Sequence, residues 1–183
     1  MGIVPEDAAV RSSARMWRAM GAVAVIVLAA DQVSKSLVLA AHPAAGSTAG
    51  WFAIRLVRNT GASGGVASGY PILVTLAALA ITGVAAGFAL RVQSRTAAVC
   101  LAAVVGGAAG NLADRLFRAP GFGRGGVVDW IHFGAGGGSM DVADIAIQFG
   151  VLGAIIAIVA GDRVRRARQA RQAPSASRAP EGR

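Results

Sequence analysis

Four long stretches of hydrophobic residues alternate with polar connections along the chain. They cover residues 19–41, 70–90, 96–116 and 142–161. Each stretch has about the 20 mostly apolar residues that a helix needs to cross the hydrocarbon core of a bilayer. A soluble domain of 183 residues rarely carries several such stretches. The pattern therefore predicts an all-α membrane protein with four transmembrane helices.

The connection between the first two stretches has a different pattern. In "WFAIRLVR" the apolar residues Phe52, Ile54 and Leu56 alternate with other residues, as on one face of a β-strand. "NTGASGG" then supplies residues typical of a turn. We expect a small β-sheet between helices 1 and 2. The connection between the last two stretches is rich in glycine and is expected to be mobile or tightly turned.

The distribution of charge fixes an orientation. The net charge is +9, and 55% of the residues are hydrophobic. Most basic residues lie before the first stretch (Arg11 to Arg18), between the second and third (Arg91 and Arg95) and after the fourth (Arg163 to Arg171). With four spans these regions share one side, and the positive-inside rule places that side in the cytoplasm. Both termini are then cytoplasmic, and the small sheet is extracytoplasmic.

The composition also suggests boundaries along the chain. Residues 1–16 are interpreted as a loose cytoplasmic leader, 17–162 as the four-helix domain, and 163–183 as a basic, disordered tail. The basic tail is interpreted as an anchor beside anionic membrane phospholipid. A nucleic-acid partner is not expected, because no recognisable nucleic-acid-binding module accompanies the charge.

Two glycine pairs have the spacing at which membrane helices approach closely. These pairs are Gly83 with Gly87, and Gly106 with Gly110. We interpret both as packing within one chain, without a prediction of oligomers. The single cysteine, Cys100, is expected to be a small packing residue.

Acidic residues gather towards the predicted extracytoplasmic ends of the helices. They are Asp31, Asp114, Asp129, Asp141 and Asp144. A charge inside a membrane is costly, so such residues usually face the bundle interior and have a partner. Lys35 follows Asp31 by four residues, hence on the same helical face, and the two could form an ion pair. The neighbours Asp114 and Arg115 point in different directions, so each is expected to have another partner.

A structural interpretation of these acids must be weighed against a catalytic one. Asp141 could cap the last helix, with Asp144 in its first turn, where the helix dipole favours anions. Spacing alone favours this capping role. Asp129 could be a turn residue, but it lies between apolar residues in "VVDWI". An acid in such surroundings is more typical of a functional site.

Two neighbouring carboxylates have a defined chemistry. Their repulsion raises one pKa, so they share a proton near neutral pH. One can then take a proton from water while the other donates a proton to the scissile peptide group. No serine has a nucleophile-elbow setting, and two histidines with one cysteine do not favour a zinc site. The residues leave open an aspartic mechanism or a non-enzymatic role.

Five short motifs occur in the order and topology of a known family. They are "DQVSK" (31–35), "NTGA" (59–62), "GNLADR" (110–115), "VVDWI" (127–131) and "VADIAI" (142–147). Together they resemble bacterial lipoprotein signal peptidase, the type II signal peptidase. The resemblance implies an intramembrane aspartic endopeptidase of the bacterial cytoplasmic membrane. It would act alone, without a cofactor or metal, on diacylglyceryl-modified prolipoproteins, cleaving just before the lipidated cysteine.

The resemblance also implies roles for individual residues. The catalytic pair of the family falls on Asp129 and Asp144. Residues that match supporting or substrate-binding positions, with Asp141 included for its place beside the pair, are Asp31, Lys35, Asn59, Gly61, Asn111, Asp114, Arg115 and Asp141. Among these, the two asparagines could orient the aspartates or bind the substrate backbone.

The sequence departs from the usual family pattern at three places. Met140-Asp141 stands where the family usually has Phe-Asn, Ser63-Gly64 follows Ala62 where an aromatic residue is usual, and "GAGGGS" precedes the last helix. From charge repulsion alone, Asp141→Asn is expected to retain activity or to raise it at neutral pH. The departures leave open a divergent paralogue, altered in rate or substrate choice, or one that binds lipidated peptides without cutting them. A small transport component or a structural scaffold is a weaker alternative.

Overall fold

A computed structural model describes residues 6–41, 47–49, 51–134 and 137–172 of the chain. Four of its helices are long and apolar enough to cross a membrane, which confirms the predicted class. The elements in chain order are α1 (Glu6–Ala41), β1 (Ser47–Ala49), β2 (Phe52–Asn59), a 3₁₀ turn (Ser63–Gly65), α2 (Pro71–Arg91), α3 (Arg95–Phe117), β3 (Val127–Phe133), β4 (Ser139–Met140) and α4 (Val142–Gln172).

The starts of three helices follow from their local sequence. Proline suits the first turn of a helix, where an N–H would have no partner, and Pro71 begins α2. The Ser94 side chain accepts the Ala97 N–H at 3.3 Å and so caps α3. In the same way, Asp141 Oδ1 accepts the Asp144 N–H at 2.7 Å at the start of α4. The capping interpretation of Asp141 is therefore confirmed.

Helix α3 lies at the centre of the bundle and packs against each of the other three helices. Small residues make this close packing possible. A Cβ atom added to Gly106 would lie 2.5 Å from the Ala24 carbonyl oxygen in α1. One added to Gly107 would lie 2.6 Å from the Ala143 carbonyl oxygen in α4. The apolar core towards the start of α3 is likewise built mostly from alanines.

The two glycine pairs have different surroundings. Gly106 and Gly110 of α3 both face α1, where Gly110 contacts Asp31. Packing within the chain is therefore confirmed for this pair. At Gly83 and Gly87 of α2, an added Cβ would meet nothing within 4 Å among the described residues. The prediction was wrong for that pair, because in a sequence rich in glycine the spacing occurs without a contact.

The predicted small sheet is present and is larger than expected. It has four antiparallel strands in the order β1-β2-β3-β4. Strands β3 and β4 come from the connection between α3 and α4, so the sheet does not belong only to the connection between the first two helices. The pairing of β2 with β3 sets Asp129 opposite Val57. The glycine-rich connection, expected to be mobile or tightly turned, therefore supplies half of the strands.

The ends of the chain differ from the predicted boundaries. Helix α1 begins at Glu6, so residues 6–16 are helical where a loose leader was predicted. Helix α4 continues to Gln172, so residues 163–172 are helical where a disordered tail was predicted. Helical hydrogen bonding continued beyond the apolar stretches, whereas the prediction rested on hydropathy. The predicted disorder of residues 173–183 lies outside the described residues.

Candidate active site

A buried lysine gathers three aspartates from three different parts of the chain. Lys35 Nζ lies 2.8 Å from Asp31 Oδ2, 3.0 Å from Asp114 Oδ2 and 2.7 Å from Asp141 Oδ2. Asn111 Oδ1 lies 3.0 Å from the same ammonium. The predicted pair of Asp31 with Lys35 is therefore confirmed. We call Asp31, Lys35, Asp114 and Asp141 the lysine cluster; all four side chains are buried.

The aspartates of the lysine cluster also hold backbone amides in place. Asp31 Oδ1 accepts the Ala143 N–H at 3.0 Å, which joins α1 to the start of α4. Asp114 Oδ2 accepts the Val128 N–H at 3.1 Å, which joins α3 to β3. Because Val128 precedes Asp129 and Ala143 precedes Asp144, these contacts fix the backbone beside the two predicted catalytic residues.

Asp129 and Asp144 meet at the end of the bundle that carries the sheet. One carboxylate oxygen from each, together with one from Asp141, all lie within 4.8 Å of one another. At that separation one water molecule can hydrogen-bond to two carboxylates. Asp129 and Asp144 also line a cleft of about 790 Å³. Asp141 is fully buried beside them.

The two predicted asparagines lie beside the two aspartates. Asn111 Nδ2 donates to Asp144 Oδ1 at 3.1 Å, and its oxygen faces Lys35, so it connects the cleft to the lysine cluster. Asn59 lies in β2 beside Asp129 and acts to lower the pKa of that carboxyl. Both asparagines line the cleft and hold the orientation of a carboxylate.

Arg115 connects α3 to the loop that follows β2. Its Nη2 donates to the Gly61 carbonyl oxygen at 2.6 Å, and its charge acts on Asp129, Asp114 and Asp144. Its Nη1 is buried and has no hydrogen-bond partner among the described residues. Arg115 lines the cleft, whereas this nitrogen lies beneath the cleft surface.

Gly61 can only be glycine in this loop. An added Cβ would lie 2.5 Å from the Val66 carbonyl oxygen and 2.6 Å from the Gly65 carbonyl carbon. The Gly61 N–H donates to Asn59 Oδ1 at 3.0 Å. The same asparagine that lies beside Asp129 therefore also stabilises this turn. The loop thus sets both the Gly61 carbonyl oxygen and the Asn59 side chain at the cleft.

Burial and neighbouring charge alter the acidity of the two aspartates that precede α4. Burial, together with the charges of Asp141 and Asp144, raises the pKa of Asp129 to about 7. Burial also raises the pKa of Asp141, in this case to about 6, against the ammonium of Lys35, which acts to lower it. Both carboxyls therefore keep a proton to a higher pH than an ordinary aspartate does.

Three clustered carboxylates are the kind of oxygen ligands that a hard divalent cation prefers. In this site the positive side chains of Lys35 and Arg115 lie where a cation would otherwise balance the carboxylates. Lys35 Nζ lies 2.7 Å from Asp141, and the charge of Arg115 acts on the other two aspartates. The acids are therefore neutralised by the protein's own cations and by protonation.

Three residues of this site were missed from the sequence. Gln32 Nε2 donates to Asp114 Oδ1 and to the Gly110 carbonyl oxygen, each at 3.1 Å. Arg118 Nε donates to Asp114 Oδ1. Gly110 leaves no room for a Cβ beside Asp31. Arg118 could have been found, because it follows Asp114 by four residues and so lies on the same helical face.

A family model described as signal peptidase (SPase) II matches residues 23–160. The chain belongs to the signal peptidase II family. The matched range runs from α1 into α4 and contains every residue of the lysine cluster and of the cleft. A signal peptidase is a peptide-bond hydrolase, and the four spans make this member a bacterial membrane protein.

Similar proteins agree with this assignment. The lipoprotein signal peptidase of Mycobacterium avium is 40% identical over 154 residues, covering 79% of each chain. That of Streptomyces coelicolor is 36% identical over 148 residues, covering 78% of this chain and 69% of the relative. A solved bacterial membrane enzyme superposes with a TM-score of 0.65 at 26% identity, covering 76% of this chain and 87% of that one.

Two glycines shape the loop that follows Gly61 beside the cleft. Gly64 and Gly65 adopt positive φ angles of 66° and 79° in the 3₁₀ turn beside the cleft. A bulky side chain rarely adopts this left-handed conformation, so an aromatic residue at position 64 would be strained. In this member the loop wall of the cleft therefore lacks an aromatic side chain at that position.

Proposed function

We propose that the chain is an intramembrane aspartic endopeptidase that removes signal peptides from diacylglyceryl-modified prolipoproteins. Cleavage takes place just before the lipidated cysteine, by general acid–base activation of water. One observation carries this proposal: the carboxylate oxygens of Asp129 and Asp144 lie within 4.8 Å of each other at the wall of a cleft. Membership of the signal peptidase II family supplies the class of reaction.

The two carboxylates divide the acid and base roles. Asp129, whose pKa is raised to about 7, holds a proton near neutral pH and serves as the acid. Asp144 serves as the base and takes a proton from the attacking water. The protonated Asp129 donates to the scissile carbonyl oxygen as the water adds, and the leaving amine is protonated as the carbon–nitrogen bond breaks. The reaction needs no covalent intermediate and no metal.

The remaining cleft residues position the substrate and the aspartates. Asn111 orients Asp144 through the 3.1 Å hydrogen bond, and Asn59 orients Asp129. The guanidinium of Arg115, at the cleft wall, holds its charge close to Asp129 and Asp144. The acyl chains of the substrate stay in the membrane, and their binding energy holds the scissile bond at the cleft.

The proposed orientation follows from the charges at the two ends of the bundle. The arginines from Arg163 to Arg171 lie on the exposed, helical continuation of α4, which suits the cytoplasmic side. Both termini are then cytoplasmic, and the cleft opens towards the extracytoplasmic face. The protein acts as a monomer that contacts membrane phospholipid directly.

The central test removes one carboxyl group at a time. Asp129→Asn and Asp144→Asn should each lower cleavage of a diacylglyceryl-modified prolipoprotein by about 10³-fold or more, because each removes an acid–base group. Cleavage is measured with purified protein in lipid vesicles and by complementation of a strain depleted of its own enzyme. Asp162→Asn is the matched control, since Asp162 is an exposed aspartate on α4. Full cleavage by either dyad variant would overturn the proposed mechanism.

The same assay separates the enzyme from a protein that binds lipidated peptides without cutting them. The replacement of the usual asparagine by Asp141 and the turn at Ser63-Gly64 are the changes that favour that alternative. Binding of the diacylglyceryl peptide to the unchanged protein, with no product formed at any pH, would identify a binding protein.

A further inference from the structure

Asp141 uses both of its carboxylate oxygens for fixed contacts. Oδ1 accepts the Asp144 N–H at 2.7 Å, and Oδ2 lies 2.7 Å from Lys35 Nζ. Its side chain is fully buried and does not line the cleft. Asp141 therefore cannot touch a substrate in the cleft and acts only through its neighbours.

An asparagine cannot reproduce these two contacts. Both partners of Asp141 are donors: the Asp144 N–H on one side and the Lys35 ammonium on the other. An asparagine has one acceptor oxygen and one NH₂ group, so its NH₂ would face one of the two donors. A carboxylate suits position 141, because its Oδ1 accepts the Asp144 N–H and its charged Oδ2 forms the ion pair with Lys35.

The charge of Asp141 also acts on Asp129. After burial, it is the largest influence that favours the protonated form of Asp129. The other groups that act on Asp129 come from every element packed around it: Lys35 from α1, Asn59 from β2, Arg115 from α3 and Asp144 from α4. The cations oppose protonation of Asp129, whereas Asp141 and Asp144 favour it.

We propose that Asp141 is a positioning residue that keeps the proton of the catalytic pair on Asp129. Its charge, held in place by Lys35, makes Asp129 the acid and leaves Asp144 as the base, while its cap on the Asp144 N–H fixes the backbone of that base. This inference rests on the proposed function. It reverses the expectation from charge repulsion alone: Asp141→Asn lowers activity at neutral pH.

The decisive experiment is a pH profile of kcat and kcat/KM. Cleavage of a diacylglyceryl peptide by the protein in vesicles is compared with cleavage by Asp141→Asn. Loss of the negative neighbour lowers the pKa of Asp129, so the alkaline limb of the profile should move down by about one pH unit. Because Asp141 lies outside the cleft, kcat should fall while KM changes less than about twofold.

Two further variants separate charge from structure. Asp141→Glu keeps the charge and both acceptor oxygens, so its alkaline limb should stay within a few tenths of a pH unit of the unchanged protein's, even if kcat falls. Asp162→Asn removes an exposed aspartate of α4 and should leave the whole profile unmoved. An alkaline limb that stays in place in Asp141→Asn, or that moves equally in both position-141 variants, would overturn the proposal.

A second measurement needs no substrate and so stays informative if the proposed function fails. Infrared spectra record the C=O stretch of protonated carboxyl groups as the pH of the purified protein is raised. The band of Asp129 is assigned by its loss in Asp129→Asn. Its midpoint should fall by about one pH unit in Asp141→Asn. An unchanged midpoint would overturn the proposal, whereas a shifted midpoint in a protein that cleaves nothing would leave it standing and reject the proposed function alone.

Discussion

Lys35 is the cation that balances the buried carboxylates of Asp31, Asp114 and Asp141. It is completely buried and faces three carboxylates and one amide oxygen. Such a cluster contributes little stability if compared with apolar packing, but removal of one partner leaves charges unpaired and is strongly destabilising. Its value therefore lies in geometry: it holds aspartates from α1, α3 and the start of α4 at fixed positions.

Protonation of Asp129 connects stability to pH. Its pKa is raised from an ordinary value near 3.8 to about 7. The folded state thus binds this proton more tightly than the unfolded state, and the stabilisation, complete below about pH 4, is lost as pH rises through about 7. Asp129→Asn, which cannot ionise, escapes this loss.

A melting series in detergent checks the consequence. At about pH 8 the Asp129→Asn protein should melt roughly 3–6 °C above the unchanged protein, and the gap should shrink towards pH 4. Asp162→Asn should show no such pH-dependent gap, since its aspartate is exposed. A gap of the same size at every pH would contradict the raised pKa of Asp129.

Sequence reasoning at this scale succeeded where spacing determines contact. Asp31 and Lys35 are four residues apart on one helix, and their ion pair was predicted. Contacts between distant elements could be expected only through the family resemblance. The bond from Asp31 to the Ala143 N–H spans 112 residues and depends on helix packing that no local pattern encodes.

At the scale of elements, α3 determines how closely the helices approach. Gly106 and Gly107 face α1 and α4 at distances that exclude a Cβ, whereas Gly83 of α2 has open space around it. The sequence spacing of the two glycine pairs is the same, so spacing alone could not identify which pair makes contact. The sheet is a second example of a feature that local pattern did not predict. Strand β3 lies in a glycine-rich connection, for which a mobile or tightly turned segment was expected.

The glycine pairs offer a matched comparison. Gly106→Ala should destabilise the bundle by about 1–3 kcal/mol, because its Cβ would lie 2.5 Å from a backbone oxygen that cannot move freely. Gly83→Ala should be neutral or slightly stabilising, since alanine favours a helix and its Cβ would meet nothing within 4 Å in the described part of the chain. Chemical denaturation in mixed micelles measures both. Equal stability of the two variants would contradict the packing of α3 on α1.

At the scale of the whole molecule, the chain divides into an apolar end and a charged end. Towards the start of α3 the helices pack through alanines and Met20, and towards its end they surround the lysine cluster. Hydropathy predicted the four spans and their order well. It could not predict how far the helices extend beyond the apolar stretches, because helix ends depend on hydrogen bonding and caps.

The orientation of the molecule can be measured directly. A fluorescent protein that folds only in the cytoplasm should be bright when fused after Arg183, and a phosphatase active only outside the cytoplasm should be inactive there. The reason is the row of arginines on the continuation of α4. The reverse pattern, an active phosphatase and a dark fluorescent fusion, would place the cleft on the cytoplasmic side.

The hydrogen bond from Asp31 to the Ala143 N–H joins the first helix to the last. During synthesis α1 leaves the ribosome more than a hundred residues ahead of α4, carrying half of a network that nothing else can complete. Until translation has delivered the fourth helix, neither the cap on α4 nor the approach of Asp144 exists. A partly made chain in the membrane therefore still lacks the contact that closes the bundle between its first and last helices.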